Sequence, residues 1–247
     1  EWSLKTLCVS GQQSKKKAYF KNTDFREYGQ WENTQDNKVR HPDNLMIQSA
    51  LRVSYTSPKV MHWITTLLSW LSNEKNLGRL NSFCNVAESV AKESIRNGFF
   101  DVCHKDEYML GVNTPHIVFN YLDFLIWRQD RSKYKDFQFE FRNSVEHWYP
   151  RHPSESELPI WEDAVDTFGN LCIIQRNVNS KFSNLPPEGK KISYDHLVAT
   201  GSLKLRIMSE VTNKQGDMSG SVYWRETACA EHEARMLSLL KSACGIA

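Results

Sequence analysis

Three polar clusters in this chain carry side chains able to work on a phosphodiester. The first, Ser144-Val145-Glu146-His147-Trp148-Tyr149-Pro150, sets a carboxylate beside an imidazole. The second, Thr167-Phe168-Gly169-Asn170-Leu171-Cys172-Ile173-Ile174, places Asn170 at the mouth of an apolar run. The third, Asn177-Val178-Asn179-Ser180-Lys181-Phe182-Ser183-Asn184-Leu185-Pro186-Pro187, is followed closely by Lys190 and Lys191. Hydrolysis of a phosphodiester needs a base to deprotonate water and a cation to take the charge developing on phosphate and leaving oxygen. A neutral histidine suits the first task near pH 7, which makes His147 the candidate base. The Glu146 carboxylate and the Asn179 carbonyl form an oxygen-only pair. Such a pair suits a hard ion such as Mg²⁺, which keeps several waters and binds substrate phosphate. Arg176, Lys181, Lys190 and Lys191 lie near enough in sequence to neutralise flanking phosphates.

These residues need elements that hold them. Phe137, Phe139 and Phe141 alternate with Gln138, Glu140 and Arg142, the period of a half-buried strand that delivers Glu146 and His147 near its end. Pro150 fits where that ladder stops. Adjacent strand side chains point to opposite faces, so a twist or bulge near Val145 is expected if both are to serve one phosphate. Arg151 to Asp163 reads as a polar surface loop, and Phe168-Gly169-Asn170 as a turn. Leu171 to Ile174 is apolar and β-prone, a second strand. Asn177 is a suitable N-cap for a short helix that Pro186 cannot continue. The order is strand, loop, strand, helix.

The rest of the chain reads as mainly helical. Residues 1–40 are polar and irregular, with Lys15-Lys16-Lys17 as a solvated loop. After Leu45 to Val53 and a break at Ser57-Pro58, apolar residues from Val60 to Leu71 recur at helical steps. A third helix is expected over 81–97. A fourth follows Thr114 as N-cap and Pro115 at N1. Within it Asp123, Trp127 and Arg128 read as packing and pairing, and the isolated His41, His62 and His104 as structural or surface residues. Tyr194 to Ile207 is mixed: a helix near Asp195, then irregular chain or a short helix. Gly216 to Gly220 reads as a loop. Thr227 to Lys241 is a helix whose His232, between two glutamates, is expected on a solvated face. The expected architecture is α+β and mainly α-helical. A helical scaffold (1–136, with 1–40 largely irregular) precedes a small ββα motif (137–192), and a helical segment (193–247) packs on it.

With 247 residues and 40% hydrophobic side chains, the chain can bury a sizeable core. A net charge of +2 does not by itself mark a nucleic-acid binder, because net charge averages over all faces. No apolar run reaches the length of a membrane span, so no membrane partner is expected and the cytoplasm is the expected location. The six cysteines include no Cys-x-x-Cys pair, so a structural zinc is not expected and idle thiols in a reducing compartment are. The opening Glu1-Trp2-Ser3-Leu4 reads as the interior of a longer chain.

Taken in order, Glu-His-x-x-Pro, Phe-Gly-Asn-Leu-x-Ile-Ile and Asn-Ser-Lys-x-Ser-Asn-Leu-Pro resemble the HNH (His-Me finger, ββα-metal) domain of GmrSD-type modification-dependent restriction nucleases. They are also similar to the HNH domain of the RNA-guided CRISPR nucleases. The helical block from Asn44-Leu45 to Leu71 has the look of the GmrSD-type carboxy-terminal region. The resemblance implies His147 as general base and Glu146 as metal-ligand acid. It implies Asn170 as the middle signature residue that braces the loop, and Asn179 as the residue completing the metal site. Glu146 stands where many relatives carry Asp, and Asn179 where some carry His. The implied activity is a DNA endonuclease dependent on Mg²⁺, with Mn²⁺ as an alternative. A monomer would nick DNA, in bacterial defence against phage or foreign, possibly modified, DNA. The implied partner is an amino-terminal nucleotide-hydrolysing sensor domain of the same full-length protein. The alternatives are a catalytically silent HNH fold that only binds nucleic acid, and an RNA-cleaving effector.

Overall fold

The computed structural model describes residues 5–10, 17–22, 42–73, 80–103, 107–154, 158–214 and 224–246. Lys15, Lys16, His41, His104 and the 216–220 loop lie outside them. The chain divides into two compact units, 1–90 and 91–247, so the expected boundary at 136/137 falls inside the second. The α+β, mainly helical expectation holds: eight α-helices and two small sheets occur among the described residues.

In the first unit, β1 (Lys5–Ser10) and β2 (Lys17–Asn22) form an antiparallel hairpin where the sequence reads as irregular. The helix α1 (Pro42–Ser54) buries Leu45, Met46, Ile47, Ala50 and Leu51. The next helix, α2 (His62–Leu71), buries only Trp63 and Leu67 and leaves Leu68 exposed, as an amphipathic helix does. Helix α3 (Leu80–Ile95) crosses the 90/91 boundary and runs on into a π-helical turn, Arg96–Phe100, which belongs to the second unit.

The second unit is built around α4 (His116–Gln129), buried at every residue from Ile117 to Trp127. A helix buried on all sides belongs inside a core, and α4 packs against β4, α7 and α8 of the elements described next. Its N-cap is Pro115, not Thr114; the Thr114 hydroxyl instead donates to the carbonyl of Gly111 (2.8 Å). Strand β3 (Ser144–His147) pairs antiparallel with β4 (Leu171–Ile174), and α5 (Arg176–Phe182) follows. Helices α6 (Pro187–Ala199), α7 (Leu203–Lys214) and α8 (Glu226–Cys244) complete the unit. Pro187 occupies the first turn of α6, where its missing N–H costs nothing.

Two expectations are corrected here, and one left open is resolved. The Phe137–Phe141 stretch is not a strand: 137–143 is irregular, Phe137 is buried, Phe141 is 51% exposed and Arg142 is turned inward. The reason is partnership, since β4 offers only four residues before α5 begins and a strand without a ladder leaves its backbone unpaired. The short helix α5 is preceded by Gln175, not Asn177, and makes no side-chain cap. Of the two readings left open beyond the helix near Asp195, irregular chain or a short helix, the helix is found, and it is continuous over 203–214.

Candidate active site

The β3–β4 ladder pairs Ser144 with Ile174, Val145 with Ile173, Glu146 with Cys172, and His147 with Leu171, one to one. Of the twist or bulge expected near Val145, this pairing excludes a bulge within the ladder. Alternation therefore sends Glu146 to the face of Ser144, and His147 to the other. Their partners differ accordingly.

Glu146 is 7% exposed, and its Oε1 accepts from the Lys190 ammonium at 2.8 Å. Lys190 is wholly buried on α6, and its Nζ also donates to the carbonyls of His147 (2.5 Å) and Trp148 (3.1 Å). Burial pulls the Lys190 pKa down, while the Glu146 charge opposes that shift. This corrects the expectation that Lys190 neutralises phosphates: its three donor contacts are internal. By contrast Arg176 and Lys181 are exposed on α5, and Lys191 is half-buried on α6.

Asn179 reaches the same face. Val178 and Phe182 anchor α5 in the core, with Phe182 edge-on to Trp148, and the half-buried Asn179 lies between them in sequence. Its Nδ2 donates to the Ser144 hydroxyl at 2.6 Å, which leaves Oδ1 outside that bond. Glu146, Asn179 and Lys190 thus gather around one side of β3. Among the described residues, no group of three or more His, Cys, Asp or Glu side chains is arranged to hold a metal.

His147 lies at the strand's end, its side chain 13% exposed, with Nε2 2.8 Å from Oδ1 of Asp166. The second Asp166 oxygen accepts from the guanidinium of Arg151, itself 53% exposed. Sequence reasoning missed both residues. Asp166 falls between the polar loop and the Phe168 turn, and only the structure shows that this stretch is the 3-10 turn Glu162–Asp166. Tyr149 stacked on Trp161 (4.1 Å between centroids) draws the supposed surface loop back onto the core.

Asn170 is fully buried and ties the whole excursion together. Its Oδ1 accepts from the backbone N–H of Tyr149 (2.8 Å) and from the indole of Trp224 (3.2 Å). Its Nδ2 donates to the carbonyls of Tyr149 and Val165, both at 2.9 Å. A second buried ammonium, Lys204 on α7, donates to the carbonyls of Phe168 (2.8 Å), Gly169 (3.2 Å) and Leu171 (2.6 Å). Burial lowers its pKa to about 8. Helix α8 contributes as well: Glu233 accepts from the Gly169 N–H at 3.0 Å. His232, expected on a solvated face, is instead 4% exposed and set edge-on to Trp224, and burial holds its pKa well below the usual value. Gly169 has to be glycine, since a Cβ there would lie 2.6 Å from the carbonyl oxygen of Cys229.

Strand β3 and the short helix α5 thus carry every sequence-nominated residue except Asn170, which stands at the entry to β4, and Lys190 and Lys191 on α6. No helix among the described residues is long and apolar enough to cross a membrane. The sequence profile of one family, described as "GmrSD restriction endonucleases, C-terminal domain", matches residues 105–239, more than half of the chain. Neither the curated proteins nor the solved structures searched contain a match.

Proposed function

The chain belongs to the family of GmrSD restriction endonuclease C-terminal domains, and from that premise we propose that it is the nuclease part of such an enzyme, an HNH-type, metal-dependent DNA endonuclease. The observation that supports this most is the short antiparallel hairpin followed by a helix, which sets Glu146 and Asn179 on one face of β3 and His147 on the other at its exit, with Asn170 buried between the strand ends.

His147 accepts the proton of the attacking water. Asn170 keeps the β3 exit and the β4 entry in register and, being fully buried, acts through the backbone rather than on substrate. A divalent ion fits the remaining donors: Glu146 has one carboxylate oxygen beyond its Lys190 bond, and Asn179 has its amide oxygen beyond its Ser144 bond. Two protein oxygens completed by water and phosphate is the manner in which Mg²⁺ is commonly held, with Mn²⁺ as a substitute. When bound, such an ion supplies charge stabilisation at the phosphate and leaving oxygen. Arg176, Lys181 and Lys191 meet flanking phosphates. One such site cuts one strand per event, so a monomer nicks. The setting is cytoplasmic defence against foreign DNA, under a nucleotide-hydrolysing sensor domain elsewhere in the full-length protein.

The test is relaxation of supercoiled plasmid with Mg²⁺, Mn²⁺ or EDTA, beside His147→Ala, with RNA as a second substrate. Metal-dependent open circles that vanish in the variant are expected. Undiminished cutting by a folded His147→Ala protein would remove His147 from the mechanism, and RNA-only cleavage would reassign the substrate. One observation favours the rival reading, a fold that binds without cutting: Lys190 already holds one Glu146 oxygen. Retention of DNA with no product under any divalent ion would decide for it.

A further inference from the structure

We propose that Asp166 is the positioning residue of His147, fixing which ring nitrogen carries the proton and therefore which atom acts as base; this rests on the nuclease reading above. The Asp166 Oδ1 stands 2.8 Å from His147 Nε2, within hydrogen-bond reach. A carboxylate engaged by a guanidinium can only accept, so Nε2 carries a proton and, in the neutral ring, Nδ1 holds the lone pair. With Nδ1 as the basic atom, the ring's other nitrogen is anchored, which is the arrangement a histidine base requires.

The carboxylate is itself fixed from three directions. Arg151 donates to Oδ2. The 3-10 turn that ends at Asp166 is held from inside by the Asn170 amide on the Val165 carbonyl and by the Val165 N–H on the Trp161 carbonyl. On the remaining side the backbone of Gly111, at φ +55°, lies so close that a Cβ there would come within 2.8 Å of Asp166 Oδ1. A side chain held this way has little freedom to be a casual surface pair. The other charged groups near His147, Glu146 and Lys190, bond to each other and not to the imidazole.

Asp166→Asn keeps the size but lets the amide donate, which favours the opposite tautomer. The expected result is a fall in kcat of about 10²–10⁴-fold, the usual worth of a general base, with KM changed less than about twofold. The second readout is the long-range ¹H–¹⁵N spectrum of the His147 side chain, assigned by comparison with His147→Ala. The wild type should show the Nε2–H form, and Asp166→Asn should shift toward Nδ1–H with an unchanged thermal melt. An Nδ1–H wild type, or an Asp166→Asn protein with unaltered tautomer and kcat, overturns the proposal. The spectrum decides even where no cleavage is seen, so failure of the nuclease reading and failure of this one are distinguishable.

Discussion

Replacing Lys190 with methionine keeps most of the side chain's volume and removes its charge. Three acceptors lose their donor: Glu146 Oε1 at 2.8 Å, and the carbonyls of His147 and Trp148 at 2.5 and 3.1 Å. Lys190 is 0% exposed and the Glu146 side chain 10%, so water has little access to compensate. Removing one partner from a buried ion pair costs about 3–5 kcal/mol, because the surviving charge is left without a counterpart. The orphaned carbonyls would add about 1–3 kcal/mol each if independent, but they share one donor and do not sum. A destabilisation of about 3–5 kcal/mol is therefore expected, or roughly 6–20 °C in Tm for a protein of this size. Glu146→Gln combined with Lys190→Met removes both charges and should recover at least about 2 kcal/mol of the loss. Urea unfolding followed by circular dichroism at pH 7 gives both numbers. A Lys190→Met protein within about 0.5 kcal/mol of wild type, or a double variant no more stable than the single, would refute the assignment of Lys190 as the buried counter-charge.

Arg176→Gln and Lys181→Gln should each flatten the dependence of log K on log salt for DNA binding by about one unit, whereas Lys190→Met leaves that slope unchanged; fluorescence anisotropy across a salt series separates them. Asn170→Ala strips four buried partners and should cost at least about 2 kcal/mol in denaturant unfolding, with loss of cleavage following from the disordered hairpin ends. Asp123 tests the core of the second unit through pH. Burial pushes its carboxyl from 3.8 up to about 6, against the Lys204 and Leu203 backbone N–H groups and the Arg142 and Arg206 charges. Between those values the folded state keeps a proton that the unfolded chain has lost, so its contribution is complete below 3.8 and lost as pH rises through 6. The wild-type minus Asp123→Asn stability difference should therefore fall by about 3 kcal/mol from pH 3.5 to pH 7, and a flat difference would refute the buried-acid assignment.

Local pattern made some of this visible in the sequence and hid the rest. The Leu171–Ile174 strand and the α1, α2, α3 and α8 helices follow from apolar periodicity alone, because each buries one face or lies wholly inside. The Phe137–Phe141 alternation misled: period two predicts a strand only where a partner exists, and β4 is too short to supply one. Caps misled as well, since Thr114 and Asn177 had the right chemistry but neighbouring backbone set the helix starts one or two residues away. Glu146, His147, Asn170 and Asn179 were nominated as residue types in order, and the structure places them about β3 and its exit. Asp166 and Arg151 were not, because they are brought to His147 by the stacking of Tyr149 on Trp161 and the turn that follows. Lysine burial is the least legible feature: Lys190 and Lys191 look alike in sequence, and only the position of α6 against β3 separates an internal counter-charge from its half-buried neighbour.

A ladder of four residue pairs closing the 148–170 excursion would be marginal alone, since two-stranded hairpins seldom persist in water and a long loop adds closure entropy. The fold answers at both ends with the same device. Lys190 gathers the carbonyls where the chain leaves β3, and Lys204 gathers those where it enters β4. Asn170 joins the two ends directly, and Trp224 and Glu233 hold Asn170 and Gly169 from the α8 side. Backbone carbonyls concentrated at a turn create negative potential, and a buried ammonium satisfies several at once where a neutral donor would satisfy one or two. This explains why the helices after Pro187 belong to the site, although Lys190 is the residue in them seen to bond to Glu146 and His147. The residues proposed for the chemistry lie between 144 and 179, but what keeps them in register lies largely between 187 and 233.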